Sequence, residues 1–221
     1  MKFMTFKPAP TLWPFGIAAL FIVAGCAPRQ SAHPLRDNVY AASPRLPTSI
    51  RRVAVLPFST ELADWQAQNG RMELEPVLLR ELGKLNRFEL TLVTPQQLQL
   101  WTGRASWLPG EALPQGLLDR LRKDLACDAA LFTHLQHYQA YRPIVLGWNM
   151  KLLDLQQQQF IWTVDEVFDG GDKFVLHEAH RYHSHHRERG CVCRPSELVL
   201  LSPREFGSFS LSALLATLPS R

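Results

Sequence analysis

Residues 144–154 alternate more cleanly than any other stretch of this chain. Ile144, Leu146, Trp148, Met150 and Leu152 fall on one side of an extended strand, and Val145, Gly147, Asn149, Lys151 and Leu153 on the other. Successive side chains of a strand point to opposite faces, so the uniformly apolar set predicts a core face. Strands are also expected at 129–140 before it and at 160–164 after it, where Phe160, Trp162 and Val164 share a side. The links between them are too short for a crossover helix and predict antiparallel hairpins. The chain must therefore build a sheet around this series.

The segments upstream are shorter and mixed. Residues 52–58 (RVAVLPF) are a continuous apolar run, which fits a buried strand. Leu74, Val77, Leu78, Leu82 and Leu85 recur at helical spacing within 72–85. Phe88, Leu90 and Leu92 alternate as in a strand. Thr94-Pro95-Gln96-Gln97 then carries the marks of a helix start: a capping hydroxyl, proline in the first turn, and glutamine three residues on. That helix is expected to end near Gly103, followed by a loop over 104–113 and a second helix over 114–125. Downstream, Val175, Leu176, Ala179 and Tyr182 stripe a helix at 172–187, and Ser202-Pro203-Arg204-Glu205 predicts a capping box before a last helix. The order β-α-β-α-α-β-β-β-α-α predicts an α/β (α+β) fold, a mixed sheet of five strands with helices mainly on one face. Val53, Val55, Leu56, Leu131, Leu146, Trp148, Leu152 and Trp162 are expected in its core.

The amino terminus is of another kind. Lys2 and Lys7 precede an uncharged apolar run over 15–24 (FGIAALFIVA). A bilayer-crossing helix needs roughly 20 such residues, so this run suits a secretory signal instead. It ends in Val23-Ala24-Gly25-Cys26, which resembles the lipobox of bacterial lipoproteins. The resemblance implies cleavage after residue 25 and lipidation of Cys26. Pro28, rather than an aspartate, follows Ala27, and by the sorting rule of enteric bacteria this implies delivery to the outer membrane, facing the periplasm. Residues 26–50 hold Pro28, Pro34, Pro44 and Pro47 without apolar periodicity and are expected to be the lipidated cysteine and a flexible tether. The remainder, 51–221, is expected to be one soluble domain.

Cleavage after residue 25 of the 221 leaves 196, enough for a domain with a real core. Lys2 and Lys7 leave with the signal, so 22 of the 24 basic residues remain against 20 acidic ones. A balance near +2, without a basic stripe interleaved with aromatics, predicts no nucleic-acid partner. Cys127, Cys191 and Cys193 remain besides Cys26. Three is an odd number, so at least one must stay free, bind metal or pair between chains.

Taken in order, RRVAVLPF at 51–58, FELTLVTPQQL at 88–98, DAALF at 128–132 and the strand pair ending in Ile161-Trp162 resemble a known group. They are similar to the lipoprotein α/β domains grouped around the curli secretion channel protein. The penicillin-binding-protein activator lipoproteins and the amino-terminal domain of the Tol-system propeller protein share this layout. The resemblance covers roughly residues 52–164. It implies an envelope assembly or binding module that works through protein contacts and not an enzyme. The chain lacks the extra amphipathic strand pair of the curli channel, so a pore is not expected. The carboxy-terminal quarter matches no family pattern.

No nucleophile elbow, phosphate loop, dinucleotide fingerprint or H-E-x-x-H is present. Asp165, Glu166, Asp169 and Asp172 gather around Gly170-Gly171, but their spacing is wrong for a twelve-residue calcium hand and suits a solvated turn at a helix start. Trp148 and Trp162 lie on expected core faces. Trp101 and Trp107 flank the loop at 104–113 and are candidates for a contact surface. His177, His180, His183, His185, His186, Cys191 and Cys193 form the one unusual cluster. Its best metal set is His183 and His186, one helical turn apart, with Cys191 and Cys193, whose side chains point the same way in an extended segment. Two nitrogens and two sulfurs suit tetrahedral zinc, the alternative to a chain without a cofactor. A disulfide from Cys127 to either cysteine is the competing arrangement.

Overall fold

The computed structural model describes residues 38–61, 64–114, 116–187 and 202–221. Among them are six strands, β1 (Val39–Ala41), β2 (Arg52–Val55), β3 (Glu89–Leu92), β4 (Ala129–Gln139), β5 (Val145–Asp154) and β6 (Gln159–Asp169). The described helices are α1 (Asp64–Leu85), α2 (Pro95–Thr102), α3 (Leu117–Lys123), α4 (Lys173–Arg187) and α5 (Pro203–Leu215). The strands form one open mixed sheet in the order β1-β6-β5-β4-β2-β3. β2 runs parallel to β3 and β4, while β4, β5, β6 and β1 are antiparallel.

The alternation separates two cores. Val53, Val55, Leu131, Leu146, Trp148, Leu152 and Trp162 pack under α1, α4 and α5 on the first face. The intervening residues Ala54, Leu56, Ala130, Phe132 and Leu153 pack under the short α2 and α3 on the second. All eight expected core residues are buried. The helix α5 is fastened to the first face by hydroxyls. The Trp148 indole donates to Ser210 Oγ at 3.0 Å, and the Trp162 indole donates to Thr217 Oγ1 at 3.0 Å. A buried indole N–H needs such a partner.

Several elements differ from the expectation. The expected tether at 26–50 reaches into the sheet: β1 pairs with β6, and Leu46 and Ile50 are buried. Three residues of which Val39 alone is partly buried, with no periodic neighbour, leave no pattern to find. The helix α1 begins at Asp64, two turns before the periodic leucines, and in the polar stretch before Met72 its buried position is Gly70. A Cβ on Gly70 would lie 2.6 Å from Leu135 Cδ2, so glycine lets the helix approach the sheet there. A bulge opposite Leu152 and Leu153 inserts Ile161 and turns Phe160 away from the Trp162 face. Phe160 is 40% exposed, and the Lys151 ammonium lies 5.4 Å from its ring. Thr94 caps α2 as expected, accepting from Gln97 N at 3.1 Å. Ser202 sits extended at the N-cap of α5 but makes no side-chain cap bond, so the capping box is not formed; Pro203 alone sets that first turn.

After α3, exposed Ala126 has a φ of 51°, a left-handed conformation that costs a residue with a Cβ roughly 1–2 kcal/mol. Ala126→Gly is expected to raise stability by about 1 kcal/mol once glycine's extra unfolded freedom is subtracted. Urea unfolding of the two proteins tests this; an unchanged or lower midpoint would contradict it.

Candidate functional site

The helical cover of the second face ends at Phe132 on β4 and Leu153 on β5. Beyond it, cross-strand register places Ser59 beside His134, His134 opposite Asn149, and Asn149 opposite Asp165. Opposed residues share a face, so these four form a polar row across β4, β5 and β6. A second bulge, between Leu135 and His137, makes Gln136 the extra residue of β4. It re-aims the strand so that Gln136 Nε2 reaches Asp165 Oδ2 at 3.3 Å. Asn149 Nδ2 donates to the same oxygen at 2.6 Å. His137 stands opposite Gly147, where a Cβ would lie 2.8 Å from the imidazole Cδ2 and 3.1 Å from the His137 backbone nitrogen. Glycine makes the room for that ring. Exposed Tyr40 and Val167 border the row on β1 and β6.

A serine, a histidine and an aspartate in one row invite comparison with a nucleophilic triad. The geometry is different. Ser59 is buried, with its hydroxyl 3.2 Å from His134 Nδ1 and 3.4 Å from the Thr133 carbonyl. The Asp165 carboxylate takes the amides of Asn149 and Gln136, where a triad needs it to orient the imidazole. What the row offers is hydrogen bonding. Asn149 Oδ1 is a buried acceptor without a partner, and such a group is costly to leave unpaired.

Burial pushes the His134 pKa below its ordinary value, against the opposing pull of the Ser59 bond, Glu61 and Asp165. A histidine held neutral when folded still takes up a proton when unfolded, at a pKa of about 6.5. Stability must therefore fall as pH drops below about 6.5, until the folded ring also protonates. His134→Gln is expected to flatten this part of the profile, measured as urea midpoints between about pH 7.5 and 5.5. Equal slopes for the two proteins would show that His134 is not the group responsible.

No family model matches the sequence, and no curated protein matches it. Solved structures do. The fold is similar to the PelC dodecamer from Paraburkholderia phytofirmans, with 10% identity and a TM-score of 0.46 over 83% of this chain and 98% of that one. It is similar to lipoprotein GNA1162 from Neisseria meningitidis, with 11% identity and a TM-score of 0.39 over 64% and 99%. It is also similar to Escherichia coli LpoB, with 16% identity and a TM-score of 0.35 over 75% and 83%. The chain resembles this group of bacterial lipoproteins in fold. At these identities the likeness is one of layout alone.

The other candidate residues fall elsewhere. Trp101 and Trp107 are half-buried against the second core. The Trp107 indole donates to Thr102 Oγ1 at 2.9 Å, and the Arg104 guanidinium, itself paired with Glu111, lies 4.3 Å from its ring. Hydrogen bonds from the Leu108 amide and Arg104 pull the Glu111 carboxyl below its ordinary value, so the loop is stitched to itself. His183 is partly buried on α4 and His186 lies in that helix's last turn. Cys191, Cys193 and Cys26 lie outside the described residues. Among the described residues no three His, Cys, Asp or Glu side chains converge as metal ligands. Cys127 is a free, buried thiol whose pKa is pushed up by burial. A cavity of about 180 Å³ beside it is flanked by Asp128 and Asp154. Both carboxylates accept from backbone amides, Asp128 from Arg51 and Arg52, Asp154 from Gln156 and Gln157. The acidic group near Gly170 divides likewise. Asp172 caps α4, accepting from Phe174 N and Val175 N, and Asp169 accepts from Gly171 N.

The polar row was missed because no single segment contains it. The alternation within 144–154 already separates Asn149 and Lys151 from the core set. Their alignment with His134 and Asp165 depends on two registers and a bulge that no local signal sets.

Proposed function

We propose that this chain is an envelope lipoprotein, lipidated at Cys26 and held at the outer membrane facing the periplasm, that acts by binding a protein partner and not by catalysis. The observation that carries the binding role is the polar row from His134 to Asp165, half-buried at Asn149 and Asp165, with exposed Tyr40 and Val167 at its margin. A hydrogen-bonding centre with aromatic and aliphatic neighbours suits a partner segment bearing amide or cationic donors. The anchor rests on the Val23-Ala24-Gly25-Cys26 site after a short apolar run.

A photo-crosslinking residue placed at Val167 in intact cells is expected to give a discrete adduct. Asp165→Ala in the same chain should remove it. The control position is Leu100, which is 86% exposed on α2. Equal adducts at Val167 and Leu100, or an adduct indifferent to Asp165, would reject this face as the binding site.

A further inference from the structure

One end of the domain is apolar in a way that its core does not require. Trp65, Met72, Tyr141 and Phe174 are 58%, 63%, 79% and 41% exposed. They come from three separate places in the chain, yet the topology gathers them. β4 runs toward this end and turns there into β5, and β6 runs toward it and turns into α4. Tyr141 sits in the first turn and Phe174 follows the second. The chain leaving β2 climbs along β4, with Ser59 beside His134 and the Thr60 hydroxyl donating to Leu135 O, and α1 starts from there with Trp65 and Met72. Arg204 at the start of α5 pairs with Glu73, which brings that helix's first turn to the same end. Arg142 and Lys173 stand next to Tyr141 and Phe174 in sequence.

The described chain also begins nearer this end. β1 is antiparallel to β6, so its first residue lies closer than its last to the end at which β6 finishes. Asp165 N donates to Asn38 O at 3.1 Å, and Asn38 N donates to Glu166 Oε1 at 3.0 Å. That point is four residues from the end of β6 at Asp169, about 13 Å at strand rise. Cys26 precedes Asn38 by twelve residues, which span about 40 Å even when fully extended. With lipid on Cys26, that length of chain lets the end bearing Trp65 and Tyr141 reach the bilayer. The opposite end of β6, at Gln159, is six residues from Asp165, about 20 Å at strand rise, so the tether joins nearer the aromatic end.

We propose that this end is a membrane-docking surface, with Trp65, Met72, Tyr141 and Phe174 seated in the lipid headgroup layer. The inference rests on lipidation of Cys26. Tryptophan and tyrosine favour that layer because each has an apolar body and a polar tip. Arg142 and Lys173 meet the lipid phosphates, while Asp169 and Asp172 are occupied by the backbone amides of the β6–α4 turn. Docking this end leaves the second face of the sheet, with exposed Tyr40 and Val167 beside the polar row, lateral to the membrane and facing a partner. The tether then limits distance, and the aromatic end sets orientation.

The test uses the full lipidated chain in vesicles of phosphatidylethanolamine and phosphatidylglycerol whose acyl chains are brominated near the ester. Bromine quenches tryptophan at contact range. The wild-type protein is expected to lose more emission than Trp65→Phe, the difference being the Trp65 share. Tyr141→Ser with Phe174→Ser should restore that share while the protein still floats with the vesicles. A protein that floats but shows equal quenching with and without Trp65 overturns the docking and leaves the anchor standing; this end then belongs to a protein partner. A chain that does not float overturns the anchor and the docking together.

Discussion

Replacing Trp148 with alanine is expected to lower the stability of the domain by about 3–5 kcal/mol. The indole is wholly buried at the centre of β5, edge-on to Phe58 with ring centroids 6.0 Å apart. Its removal deletes one of the two tryptophans of the first core and leaves a hole that β5, paired on both sides, cannot close. It also takes the hydrogen bond from Ser210, a buried hydroxyl that holds α5 to the sheet. Ser210 still donates to Gly207 O at 3.1 Å, so the hydroxyl is not stranded and most of the loss is packing. Trp148→Phe separates the two contributions. It keeps much of the ring volume and loses the N–H, and is expected to cost less than the alanine variant. For a domain of this size, 4 kcal/mol lowers the melting temperature by roughly 8–16 °C. Urea unfolding of the three proteins measures both steps. A loss below about 1 kcal/mol for Trp148→Ala would mean that this face of β5 does not carry the core.

Trp148 also marks where the sequence could be read. A face buried along its whole length repeats one chemical demand at every second residue, and the set from Ile144 to Leu152 records that demand directly. Thr94 with Gln97 was legible for a similar reason: the whole capping interaction lies within four residues. The features that were not legible depend on partners far away in the chain. β1 exists because β6 offers it an edge, and Val39, Tyr40 and Ala41 hold no trace of that by themselves. Phe160 leaves the Trp162 face because Ile161 bulges, and a bulge is one residue of excess between two registers. The polar row has the same origin. His134, Asn149 and Asp165 are single polar residues in their own segments, and they become one row only after β4, β5 and β6 align. Sequence patterning resolves what a residue must avoid, namely water or a clash, better than what it will meet. The fold was therefore more legible than the site.

Replacing Cys26 with serine is expected to move the protein from the membrane pellet to the soluble fraction and to abolish labelling by a fatty-acid analogue. Each buried methylene is worth about 0.8 kcal/mol, and one myristoyl chain alone binds reversibly, with an association constant of roughly 10⁴ M⁻¹. The several chains of a bacterial lipoprotein cysteine exceed that by many orders of magnitude, so no surface contact of the domain can substitute for them. The aromatic end offers only four side chains, each partly exposed, and no described helix is long and apolar enough to cross a bilayer. Under the proposed lipidation its contact has only to orient a domain tethered by about 40 Å of chain, which keeps its effective concentration at the surface high. It is too weak to recruit a free domain from solution. Cys26→Ser and Trp65→Ser should therefore differ in kind. The first releases the protein outright. The second leaves it on the membrane with its orientation relaxed, seen as faster proteolysis of the segment preceding Asn38. Retention of the serine variant in the membrane pellet, with fatty-acid labelling unchanged, would place the anchor at some residue other than Cys26.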